Sequence, residues 1–163
     1  MDPKADTFQH ILNVSTILNG FISKLLERQT NHDLSKLQDP EWPIFEKVTP
    51  QLAELTYGSP EYKKALEEMG PALEHHYANN RHHPEFHKAG IDGMNLFDIL
   101  EMLADWKAAT LRHNDGDILK SIAINKGRFG MSDQLTRILL NTIRDMDMEG
   151  NPNVEEDEKE NGN

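Results

Sequence analysis

The chain has 163 residues, 37% hydrophobic and 28% charged, with a formal net charge of −11 and no cysteine. One hydrophobic core can serve that length, and the lack of cysteine excludes a disulfide framework, a thiolate zinc site and a cysteine nucleophile. No basic stripe is present to neutralise duplex phosphates and no apolar run approaches the roughly 20 residues of a membrane span, so neither duplex nucleic acid nor a membrane is an expected partner.

The N-terminus, Met1 to Asp6, lacks the basic-then-apolar plan of a signal peptide, which gives a cytoplasmic expectation. From Asp6 to Arg28 the residues Phe8, Ile11, Leu12, Val14, Ile17, Leu18, Phe21, Ile22, Leu25 and Leu26 recur at helical spacing, with Asp6 as the expected N-cap. A short helical turn is predicted over His32 to Leu37. Pro40 and Pro43 then impose a break before a second helix ending near Tyr57-Gly58. The next helix runs from Pro60 towards Asn80 with Leu66, Met69, Leu73 and Tyr77 on one side, and Gly70-Pro71 is expected to kink or split it.

After a histidine-rich loop, Asn95 caps a helix through about Leu111, where Leu96, Ile99, Leu100, Leu103 and Trp106 form the expected core stripe. Helices over 117–126 and 132–146 complete the body. No stretch has the period-2 alternation of a strand, so the predicted class is all-α. Between Asp147 and Asn163 seven acidic residues face Lys159 alone, and this composition is that of a disordered acidic tail. The expected organisation is therefore a helical domain over 1–147 and a tail over 148–163.

Five of the eight histidines fall between His75 and His87. His10 shares a register with Val14, Ile17 and Phe21, which points its imidazole into the core. There it is either a neutral histidine satisfied by a backbone carbonyl or a metal ligand. His32-Asp33 offers an imidazole and a carboxylate from adjacent positions, a donor set for zinc, manganese, iron, cobalt or nickel, although Asp33 also suits a helix N-cap. Asp105 shares a face with Asp98, Glu101, Met102 and Arg112, opposite the Leu/Ile/Trp stripe. That face reads either as solvated acid or, because Met102 lies among the carboxylates, as a second packed surface holding a cation. In the run from Glu74 to His87, His76 is in line with Leu73 and Asn80, which favours it over His75 as the inward residue.

The order His10, then His32-Asp33, then Asp105 resembles the HD-domain phosphohydrolase superfamily. More closely, His32-Asp33-Leu34-Ser35-Lys36, the His75-His76 to His82-His83-Pro84-Glu85 run and Glu101-Met102…Asp105-Trp106 look like a family of largely uncharacterised viral and bacterial proteins grouped as a domain of unknown function. The resemblance implies a compact HD-like helical bundle and a site for one or two divalent transition-metal ions (Mn, Co, Ni, Zn or Fe). It also implies hydrolysis of a nucleotide or similar small phosphate ester. The implied ligands are His10, His32, Asp33 and Asp105, with Asp33 also orienting the attacking water. His76, His82 and His83 complete a second metal site or hold the phosphate and protonate the leaving oxygen.

Lys36, Arg81, Arg112, Lys126 and Arg128 are the cations expected near an anionic substrate, and Glu101 is expected to orient a ligating histidine. Three rival readings accompany the hydrolase: a di-iron oxygenase of HD type, a nucleotide-sequestering protein without turnover, and a helical interaction module with a structural ion. A homo-oligomer is a further expectation, with the short terminal helices as the interface.

Overall fold

A computed structural model describes residues 2–55, 60–112 and 116–150 of the chain. Among the described residues there are six α-helices and no strand, so the class is all-α. No helix among them is long and apolar enough to cross a membrane. The chain divides into two compact units, residues 1–81 and 82–163.

In the first unit, α1 spans Pro3–Asn31. Its N-cap is Asp2, whose side chain accepts from the Lys4 amide at 3.0 Å, and the expected cap Asp6 lies inside the first turn. Proline at the first helical position explains the earlier start, because its fixed φ is pre-organised for helix and its missing N–H is one that the first turn leaves unpaired. α1 buries none of its residues. The chain leaves it through Asp33, in the left-handed region at φ 58, into a 3-10 turn over Leu34–Leu37.

α2 (Glu41–Glu54) and α3 (Pro60–Asn79) pack against each other. Among the described side chains the buried apolar residues of this pair are Val48, Ala65 and Ala72, and Lys47 pairs with Glu68 at 3.0 Å. The expected interruption at Gly70-Pro71 does not split α3, which runs unbroken through Pro71. Proline in a helix interior forfeits one amide hydrogen bond and crowds the preceding turn, and the packing of α3 on α2 offsets that cost. The Leu66 side chain and the Tyr57-Gly58 end expected for α2 lie outside the described residues.

In the second unit, 3-10 turns over Pro84–Phe86 and Gly90–Gly93 lead to α4 (Leu96–Thr110), α5 (Ile118–Phe129) and α6 (Asp133–Asp145). Each α-helix starts on a side-chain cap. Asn95 and Asp98 form a reciprocal capping box on α4, Asp117 accepts from Leu119 and Lys120, and Ser132 accepts from Leu135. Gly130, at φ 63, closes α5. Ile99, Met102, Leu103, Ile118, Ile122, Met131, Leu139 and Ile143 form the core, and Trp106 stacks on Phe129 with ring centroids 6.2 Å apart.

The buried face of α4 keeps Ile99 and Leu103 of the expected stripe, with Trp106 packed against them, but not Leu96 or Leu100. Leu96 is 78% exposed and Leu100 is exposed, whereas Asp98 and Met102 are buried. Asp98 and Met102, expected opposite the core, therefore turn inward beside Ile99 and Leu103. Asp98 is held there by the Asn95 amide at 3.0 Å and by His87, whose Nε2 lies 3.7 Å away. The acidic segment 151–163, expected to be a disordered tail, lies outside the described residues.

Candidate metal centre

Three segments of the first unit bring polar side chains together: the turn after α1, the first turn of α2 and the last turns of α3. α3 and the residue that follows it carry a buried stripe of Ala65, Ala72, His76 and Asn80, spaced by seven, four and four residues and so on one helical face. His76 is 1% exposed and Glu41, at the start of α2, is fully buried. Glu41 engages two imidazoles at once, with His75 Nδ1 at 2.7 Å from Oε1 and His76 Nδ1 at 2.9 Å from Oε2. Asn80 donates to Ser35 Oγ at 2.7 Å and to the His76 carbonyl at 2.9 Å, tying α3 to the 3-10 turn.

The other ring nitrogen of His76, Nε2, lies 3.2 Å from Asp33 Oδ1. Asp33 also accepts from Lys36 Nζ at 2.6 Å, and His32 Nε2 is 3.6 Å from its Oδ2. Burial alone would raise the Asp33 pKa. The hydrogen bonds from His76 and Lys36 and the neighbouring charges of Lys36 and His32 outweigh it and hold the carboxyl well below the usual carboxylate range. For Glu41 burial likewise pushes upward, and hydrogen bonds from His75, Ser35 and His76 bring the pKa below its ordinary value. Both groups are therefore carboxylates at neutral pH.

This geometry fits a divalent cation. With both ring nitrogens protonated His76 donates to Glu41 and to Asp33; once the Nε2 proton leaves and Nδ1–H stays on Glu41, a lone pair on Nε2 faces the Asp33 carboxylate. A lone pair and a carboxylate oxygen at that distance repel unless a proton or a metal ion joins them. A histidine ligand whose far nitrogen donates to a carboxylate is the usual orienting device of metal sites.

The second unit repeats the device. His82, almost completely buried, has Nδ1 at 3.3 Å from Glu101 Oε1, and its ring lies 4.1 Å from that of His83. Asp105, one turn beyond Glu101 on α4, is half-buried. Buried and half-buried groups that could hold a metal are thus His32, Asp33 and His76 in the first unit and His82, His83, Glu101 and Asp105 in the second.

His10 is not among them. Its imidazole stands exposed on α1, together with Val14, Ile17 and Phe21. The core-facing expectation fails because the register it relied on marks an apolar face that this chain leaves uncovered. Of the cations expected near substrate, Lys36 is bound to Asp33, Lys126 pairs with Asp133, and Arg128 donates to Glu85 at 2.8 Å while stacking over Phe129. Arg81 and Arg112 are exposed.

Glu41 is the residue that sequence reasoning missed. Its only local signal is an acidic residue in the first turn of a helix begun by Pro40 and Pro43, which is ordinary. Its histidine partners are more than thirty positions away.

These features define an all-α protein carrying buried histidine and carboxylate groups that could hold a metal. The chain belongs to DUF5662, a family of unknown function whose model matches residues 2–145. This agrees with the resemblance to a domain of unknown function and names no activity. No curated protein and no solved structure matches the chain.

Proposed function

We propose that the chain is a divalent-metal-dependent phosphohydrolase of HD type, acting on a nucleotide or a similar small phosphate ester. The observation that supports this most is the buried His76, held through Nδ1 by Glu41 with Nε2 against the ionised Asp33 carboxylate. In this reading Asp33 and His76 hold the ion, with His32 beside Asp33. A Mn, Co, Ni, Zn or Fe ion would act as a Lewis acid on a phosphate oxygen and lower the pKa of water.

The chain's own groups do the rest. Glu41 and Glu101 keep the proton on Nδ1 of His76 and His82, which fixes Nε2 as the donor atom. Lys36 holds one oxygen of Asp33 and leaves the other to the ion. Arg81, exposed just after α3, supplies a cation for the phosphate.

The test is metal analysis of protein purified without chelators, for the wild type, Asp33→Asn and His76→Gln, followed by phosphate release from a nucleotide panel with the metal so identified. About one equivalent of metal, lost in both variants, together with turnover is the expected result. No metal in the wild type after loading, or metal with tight nucleotide binding and no product, overturns the hydrolase.

A further inference from the structure

α1 is a 29-residue helix that buries nothing, and its composition is unsuited to open water. Between Thr7 and Ser23 it carries no charged side chain. Nine large apolar side chains from Phe8 to Leu26 are 40% to 67% exposed. An uncovered patch of this extent marks an interaction surface.

The charges that α1 does carry sit at its two ends and differ in sign. Asp2 and Asp6 outnumber Lys4 at the start, and Lys24 and Arg28 outnumber Glu27 at the finish. A helix with acidic and basic ends complements a second copy of itself laid antiparallel, and the helix dipoles then also oppose favourably. About a two-fold axis at Ile17, Phe8 meets Leu26 and Leu12 meets Ile22. Laid parallel, the same copies would set like charges side by side. A membrane surface is the poorer occupant. Interfacial helices are rich in Lys and Arg on the polar face, whereas here that face is Gln9, Asn13 and Thr16 on a chain of net charge −11.

We propose that α1 is a dimerisation helix, and that its apolar face is covered by α1 of a second copy of this chain in antiparallel order. The test is the molar mass of the full chain by light scattering at tens of micromolar. The expected mass is twice the 18.7 kDa of one chain. It should halve in Ile17→Glu and in Leu18→Glu with helical circular dichroism retained, and stay doubled in Asn13→Glu on the polar side.

A monomeric wild type, or a dimer that survives both apolar-face variants, overturns the proposal. A monomer that sediments with anionic lipid vesicles overturns it in favour of a membrane. Orientation is read by cross-linking, since the chain has no cysteine of its own. Phe8→Cys mixed with Leu26→Cys should yield the mixed disulfide dimer, and self-linking of Phe8→Cys in its place overturns the antiparallel order.

Discussion

α1 and α4 are both helices with large apolar residues at helical spacing, yet one buries no residue and the other buries Asp98, Ile99, Met102, Leu103, Lys107 and Thr110. α4 is covered because α5 and α6 supply Ile118, Ile122, Leu139 and Ile143 to the same cluster. α1 has no comparable partner within its unit, and nine large side chains of its wider apolar face are 40% to 67% exposed. The period of a helix thus announces that an apolar face exists, while the cover comes from elsewhere and decides what the face is worth.

The largest expected effect lies on the covered side. Met102→Ala or Ile122→Ala should lower unfolding free energy by about 2–5 kcal/mol, the usual range for truncating a buried large apolar side chain. Urea titration of the full chain reads it, and a loss below about 1 kcal/mol would mean that α4 is less covered than its burial indicates. Glu41→Gln should weaken metal binding roughly 10- to 100-fold, as removal of a carboxylate behind a histidine ligand does; competition with a chelating dye measures it. Asn95→Ala should cost about 1 kcal/mol by removing the α4 cap.

A smaller effect is expected from pH. Hydrogen bonding from the Lys120 amide, opposed by partial burial and reinforced by the Leu119 amide and the Lys120 charge, holds the Asp117 pKa below its ordinary 3.8. The unfolded chain then binds the proton more readily, so this cap's stabilisation is complete above the ordinary value and is lost as pH falls through and below it. Asp117→Asn, which keeps a capping oxygen, should flatten stability against pH below about 4, as read by thermal melts across pH. The smallest effect closes the contrast. Leu18→Ala should change the stability of the dilute single chain by less than about 0.5 kcal/mol, because the side chain is already 51% exposed.

The helices are largely legible in the sequence, and so is the cap Asn95, which acts on amides two and three residues away. His76 was favoured over His75 from its register with Leu73 and Asn80, and it is the fully buried member of the pair. The stripe expected on α4 holds at Ile99, Leu103 and Trp106 and fails at Leu96 and Leu100. Leu96 and Leu100 looked like core by type, whereas Asp98 enters the interior through its cap and His87, and a partner eleven residues back leaves no periodic trace. Glu41 was illegible for the same reason. His10 was placed in a core that, for one chain alone, does not exist.

The left-handed backbone at Asp33 bears on how this family can change over evolutionary time. Glycine, asparagine and aspartate adopt φ 58 at low cost, and aspartate alone of the three brings a carboxylate. A descendant with asparagine or glycine at this position keeps the turn after α1 and abandons the negative charge. One with glutamate keeps the charge, strains the turn and carries its carboxylate one methylene too far. No neutral path leads away from aspartate while both demands stand, so the letter found at position 33 in a distant relative tells which demand its lineage has dropped.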